Sequence, residues 1–166
     1  MKKAFVFDFD DTLATTKCMI NVHDERLPDG DRCVKKITAQ EFNSYNLKKS
    51  EYFNFDEFRS EDFIHNAKPT DLLDLAKEVY SESHHVYILT ARESDVSAAI
   101  TAWLYQYGIK PKTVFCVGGN KKSIAKRKRN ILITIMQSYD RTYYYDDCPR
   151  NIKLAPAGKK IKKYKV

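Results

Sequence analysis

The chain has no apolar run long enough to cross a membrane, and charged residues recur throughout its 166 positions. A membrane-spanning role is therefore not expected. The N-terminus enters an apolar strand pattern at once, without the charged, apolar and small-residue order of a secretory leader. Four cysteines occur, Cys18, Cys33, Cys116 and Cys148, and no two form a C-x-x-C pair. That disfavours a disulfide framework and leaves reduced thiols in a cytoplasmic setting as the expectation. No internal repeat or low-complexity tract is visible. A chain of this length is expected to form a single domain, 1–166, with room for a real core.

What the chain does have is positive charge. Its net charge is +7, with an isoelectric point near 9.1. Such a balance favours anionic partners, nucleic acid among them. The excess sits in two blocks. One holds Lys121, Lys122, Lys126, Arg127, Lys128 and Arg129; the other holds Lys159, Lys160, Lys162, Lys163 and Lys165. Either block also fits a solvated surface or a frayed tail.

The most informative stretch is Phe5-Val6-Phe7-Asp8-Phe9-Asp10-Asp11-Thr12-Leu13. Ala4 to Phe7 reads as a buried strand that runs straight into carboxylates. Asp8 and Asp10 lie two apart and can face one side of an extended segment. Carboxylates that close repel unless a cation or a shared proton relieves them. A divalent-metal site at the carboxyl end of a strand accounts for this, and open α/β sheets hold their ligands there. The plain alternative is an acidic turn capping a helix.

Two further strands end in chemistry. Val86-Tyr87-Ile88-Leu89-Thr90 ends in a hydroxyl and leads into Ala91-Arg92-Glu93-Ser94. Thr142-Tyr143-Tyr144-Tyr145 ends in Asp146-Asp147, with Asn151 close behind. Between them a basic helix is expected over 120–138, entered through Gly118-Gly119-Asn120. Ile124, Ile131, Leu132 and Ile135 form its apolar face, and Lys128 shares that face. A lysine turned toward the sheet needs an anionic partner. Lys126 points further round and is the second choice. Lys121, Lys122, Arg127 and Arg129 then form a basic rim.

The Asp-x-Asp-x-Thr pattern and the three elements that follow in order resemble the four motifs of the haloacid-dehalogenase (HAD) phosphohydrolases. The resemblance implies a Rossmann-like α/β fold, a parallel sheet with helices on both faces, and a small cap in the insertion at 14–68. It also implies a catalytic set of Asp8 as nucleophile, Asp10 as acid and base, Thr90 on the substrate phosphate, and Lys128. Mg²⁺ would be held by Asp8, the backbone carbonyl of Asp10, and one of the pair Asp146 and Asp147, with Asp147 preferred. Thr12 braces the loop or joins the substrate-binding set with Lys126. The run Thr-Ala-Arg-Glu-Ser resembles the matching run in the phosphatase half of phage-type polynucleotide kinases, which implies a substrate contact for Arg92. The expected substrate is a phosphate monoester, a nucleotide or the 3′- or 5′-phosphate end of a polynucleotide. The rivals are an inactive nucleic-acid-binding module on the same fold and a phosphatase of small metabolites. Dehalogenases lack the second acid, Asp10, and ion-pump ATPases carry Lys-Thr where this chain has Phe9-Asp10.

The remaining elements follow from local signals. Residues 14–37 read as a long loop or hairpin, and Thr38-x-x-Glu41 as a capping box. Aromatics crowd 42–63, for packing of the insertion or for stacking on a base. A helix is expected from Pro69-Thr70-Asp71 to Ser83, then strand 85–90, a helix capped by Ser94 over 95–107 and ended by Gly108, strand 113–117, strand 141–145, a helical stretch 149–154 and strand 161–164.

Overall fold

A computed structural model describes residues 1–42, 44–118 and 121–166, with 121 and 122 as helical backbone only. The expected turn at Gly119-Asn120 and the side chains of Lys121 and Lys122 lie outside the described residues. The elements in chain order are β1 (Lys3–Phe7), β2 (Ala14–Thr15), β3 (Ile20–Asp24), β4 (Cys33–Ile37), α1 (Ala39–Phe42), β5 (Glu51–Asn54), α2 (Glu61–His65) and β6 (Lys68–Pro69). They continue as α3 (Leu72–Ser81), β7 (His85–Thr90), α4 (Ser97–Gln106), β8 (Thr113–Cys116), α5 (Lys121–Gln137), β9 (Arg141–Asp146), α6 (Pro149–Leu154) and β10 (Ile161–Lys165).

Five strands form a parallel sheet in the order β10-β9-β1-β7-β8. Alternation along β1 builds both layers of the core. Phe5 and Phe7 join Val86 and Ile88 under Leu73, Ala76, Ile100 and Trp103 of α3 and α4. Ala4 and Val6 join Tyr87, Leu89 and Tyr144 under Leu132 and Ile135 of α5 and Ile152 of α6. Trp103 is fully buried and its indole N–H donates to the Ala67 carbonyl at 3.1 Å. The fold is thus the expected α/β arrangement, with helices on both faces. The chain leaves β1 toward one edge and returns to lie on its other side. β1 is therefore the switch point, and a crevice opens at its carboxyl end.

The insertion folds into its own small layer. The stretch read as a loop or hairpin is a hairpin, with β3 pairing antiparallel to β4 and to the later β5. Ile20, Val22 and Ile37 pack with Phe42, Tyr45, Phe53 and Phe58. Phe42, Phe53, Phe55 and Phe58 touch ring to ring, so this aromatic run packs the insertion. The capping box forms as expected: Glu41 N–H donates to Thr38 Oγ1 at 3.1 Å, and Thr38 N–H to Glu41 Oε2 at 2.8 Å. Ser94 differs from expectation. It starts a short 3₁₀ turn, Ser94–Val96, that precedes α4, and Val96 takes the cap position with no side-chain bond. Gly108 closes α4 in the left-handed region at φ 77°.

Candidate active site

β1 delivers Asp8 to the crevice. The strand ladder carries one residue past Phe7, since Asp8 N–H donates to the Tyr145 carbonyl at 2.9 Å. The carboxylate is buried and pairs with the Lys128 ammonium at 2.9 Å. Lys128 reaches it from the middle of α5 and is itself 1 % exposed. Its second partner is Asp146 at 2.7 Å. Burial works against the charged amine, and the two carboxylates more than reverse this, holding it above its ordinary range. Lys126 lies on the exposed side of the same helix.

Asp146 is saturated. Besides Lys128 it accepts from the Tyr144 hydroxyl, from Cys148 N–H at 2.8 Å and from Asn151 Nδ2 at 3.1 Å. Its neighbour Asp147 is half-buried. One oxygen from each of Asp8, Asp146 and Asp147 lies within 4.8 Å of the other two. Burial drives Asp8 well above the usual carboxylate range against the pull of Lys128, and Asp146, Asp147 and Asp10 push the same way. Asp147 is pushed up to about 6, by burial first and then by Asp146 and Asp11. Three carboxylates crowd together and Lys128 pairs with two of them, which leaves negative charge that a cation could balance.

Asp10 lies across the loop and is only partly covered. Arg92 holds it in a two-pronged pair, Nε to Oδ2 at 2.9 Å and Nη2 to Oδ1 at 2.8 Å. Thr16 Oγ1 donates to the same carboxylate at 3.2 Å. Arg92 is 3 % exposed, so its guanidinium turns inward from the loop after β7. Its remaining nitrogen donates to the Phe58 carbonyl at 2.7 Å, and the cation lies 5.0 Å from the Phe58 ring centre. Burial opposes its charge, yet the Asp10 pair holds it above its ordinary range. The insertion is thereby tied to the loop after β7, and Arg59 adds a bond to Glu93 at 3.0 Å.

Thr90 is fully buried at the end of β7, and its hydroxyl accepts from Arg92 N–H at 3.2 Å. A hydroxyl that accepts there still has its own proton to give. Thr12 braces its loop differently than expected. Its hydroxyl is buried with no hydrogen-bond partner among the described residues, and its carbonyl takes the Thr70 hydroxyl proton at 2.5 Å. Asp11 adopts φ 55°, which turns the chain back toward Ala14. Cys116 pairs in register with Thr90, and burial pushes its thiol up to about 11, so it stays protonated at neutral pH. A groove of about 600 Å³ runs beside this loop, lined by Glu93, Ser94, Cys116, Arg127 and Asn130 among others.

The structure thus brings Asp8, Lys128, Asp146 and Asp147 together, sets Asp10 with Arg92 beside them, and leaves Lys126 outside. Sequence reasoning missed Tyr144, Phe58, Thr16 and Cys18, whose Sγ lies 3.3 Å from Arg92. Tyr144 carried a signal, because residues two apart on a strand share a face and Asp146 is two further on.

No protein-family model matches the chain, and no curated protein matches it. Among solved structures it is similar to a haloacid dehalogenase-like family hydrolase from Streptococcus pneumoniae, with TM-score 0.49 and 15% identity over 93% of this chain and 80% of that one. It is also similar to a HAD-superfamily hydrolase from Ehrlichia chaffeensis, with TM-score 0.48 and 14% identity over 99% of this chain and 93% of that one. Likenesses this distant transfer no chemistry. What the site can do rests on its own residues.

Among the described residues, no helix is long and apolar enough to cross a membrane.

Proposed function

We propose that the chain is a metal-dependent phosphatase of HAD type that hydrolyses a phosphate monoester through an aspartyl phosphate on Asp8. The observation that carries this reading is the buried Asp8 carboxylate at the end of β1, paired to Lys128 and crowded by Asp146 and Asp147. A structural salt bridge needs one acid. Three around one amine leave negative charge over, and that fits a hard divalent cation with oxygen ligands.

Mg²⁺ suits the donor set. Asp8 and Asp147 would hold it, with the carbonyl of Asp10, because Asp146 already spends its oxygens on Lys128, Tyr144, Cys148 and Asn151. When bound it supplies positive charge that lets a phosphate approach a carboxylate. The protein's own residues do the rest. An Asp8 oxygen attacks phosphorus while Lys128 holds the carboxylate in line, and the ester bond breaks. With one oxygen protonated and freed from the Arg92 pair, Asp10 gives that proton to the leaving oxygen. It then takes one from the water that attacks phosphorus and frees Asp8. The Thr90 hydroxyl and the backbone N–H groups after Asp8 hold the non-bridging oxygens. Arg92 acts here through Asp10, fixing the orientation of the acid. The β3–β4–β5 layer serves as a small cap over 14–68. Within the substrate class, a nucleotide or polynucleotide end fits the positive charge of the chain.

The test is hydrolysis of p-nitrophenyl phosphate by wild type and by Asp8→Asn. Wild type should turn over with Mg²⁺ and stop with EDTA, and Ca²⁺, which accepts more ligands, should substitute poorly. Asp8→Asn should fold and be inactive. Turnover by the variant, or full activity in EDTA, would contradict the reading.

A further inference from the structure

Charge is divided unevenly along the chain. The first 96 residues hold thirteen Lys and Arg against nineteen acids. From Ser97 onward there are sixteen Lys and Arg against three acids, Asp140, Asp146 and Asp147, and two of these belong to the site. Folding gathers part of that excess on β10. This strand edges the sheet next to β9, with Lys162, Tyr164 and Lys165 exposed.

The face that β10 shares with β9 is ordered. Tyr164 stacks on Tyr145 with ring centres 4.7 Å apart and planes 10° from parallel, and Tyr145 stacks on Phe7 at 4.9 Å. Behind this row, Tyr143 stacks on Phe5 at 4.7 Å, and Lys162 stands in register with Tyr143. α5 and α6 pack on the opposite face, beside Tyr144 and Ile161. The front row ends at Phe7, one residue before Asp8. Tyr164 therefore lies two strand spacings from the reacting strand, roughly 10 Å. At the carboxyl end of β10, Lys165 is in register with Asp146.

We propose that this edge of the sheet docks single-stranded nucleic acid, with Tyr164 stacking on a base and Lys162 on the same face and Lys165 on the other face of the strand contacting phosphates, so that the strand's end is led to Asp8. Alternating rings and lysines are what an unpaired strand needs, because each base offers a flat face and each linkage a charge. Edge lysines alone would serve to block pairing with another chain. The exposed ring of Tyr164, about 10 Å from β1 and set over the buried rings of Tyr145 and Phe7, has no part in such a block. The proposal deepens the phosphatase reading, on which it rests for the destination of the strand's end.

The test is binding without catalysis. A fluorescein-labelled oligothymidylate of about 12 nucleotides, with no terminal phosphate, is titrated in EDTA and followed by anisotropy. Wild type should bind, with affinity falling steeply as salt rises. Tyr164→Leu should weaken binding about ten-fold. Lys162→Gln, at an exposed position that should leave the fold intact, should weaken it too and reduce the slope of log affinity against log salt by about 0.7. An abasic oligomer of equal length should bind less well than the thymidylate. Both variants should keep wild-type melting behaviour and p-nitrophenyl phosphate turnover. Oligonucleotide bound equally by wild type and Lys162→Gln, equal binding of the abasic strand, or equal binding of polyglutamate would overturn the docking face. Failure of wild type to hydrolyse p-nitrophenyl phosphate would overturn the phosphatase reading alone, and the binding result would stand.

Discussion

Replacing Lys128 by Met tests the electrostatics of the site without emptying it. Methionine keeps an unbranched apolar stem and removes the ammonium that sits 2.9 Å from Asp8 and 2.7 Å from Asp146. All three groups are buried, so water cannot take over the solvation. Breaking a buried ion pair by removing one partner costs about 3–5 kcal/mol. In a chain of this size each kcal/mol moves the melting temperature by about 2–4 °C, so a fall of roughly 10 °C is expected. The loss should be pH-dependent. Asp8 sits above its ordinary range in the folded protein, so the native state holds the proton more tightly than the unfolded chain does. Stability from such a group is present at low pH and is lost as pH rises through the folded value. The Lys128→Met protein should therefore recover part of its deficit at pH 5 relative to pH 7.5. Adding Asp146→Asn, which removes one orphaned charge, should recover part of it at pH 7.5. The assay is thermal unfolding in EDTA, with Lys126→Ala as the exposed control, expected within about 0.5 kcal/mol of wild type. Equal shifts for Lys128→Met and Lys126→Ala would refute the placement of Lys128.

Arg92→Lys keeps the charge but loses the two-pronged grip on Asp10 and the bond to the Phe58 carbonyl. It should lower kcat at least ten-fold with little change in KM for p-nitrophenyl phosphate; a KM effect alone would make Arg92 a substrate contact. Thr12→Val replaces a buried hydroxyl that has no partner among the described residues, and should be neutral or stabilising in melting experiments with turnover retained. A large loss of kcat/KM would instead place that hydroxyl on the substrate. In EDTA at pH 7.5, Asp147→Asn should melt above wild type, because Asp147, pushed up to about 6, is then charged among other acids. The gap should close by pH 5, where the carboxyl is protonated, and Mg²⁺ should raise the melting point of wild type more than that of the variant.

Residues with a local pattern were legible from sequence. β1, β7 and β9 are apolar runs that stop at functional groups, and the parallel sheet follows from their alternation with helices. Lys128 could be chosen because helical spacing places it on the apolar face of α5, and burial bears that spacing out. The Thr38–Glu41 box works within four residues and could be read there. What could not be read depends on distant pairing. β5 is four residues long and gains its partner β3 only through a turn of the whole insertion. Arg92 and Asp10 are 82 residues apart, and no local signal links them. Ser94 misled because a serine before an apolar run fits either a cap or a 3₁₀ turn. The tyrosines of β9 read as strand formers, and only the register with β10 shows which of them are stacked at the open edge.

The central claim is that Asp8 becomes phosphorylated. Wild-type protein turning over p-nitrophenyl phosphate in Mg²⁺ is quenched in acid, reduced with borohydride and digested, and the N-terminal peptide is read by mass spectrometry. Reduction of an aspartyl phosphate leaves homoserine, which is predicted at position 8 and nowhere else. Turnover with unmodified aspartate at position 8, or homoserine at another acid, would contradict the account.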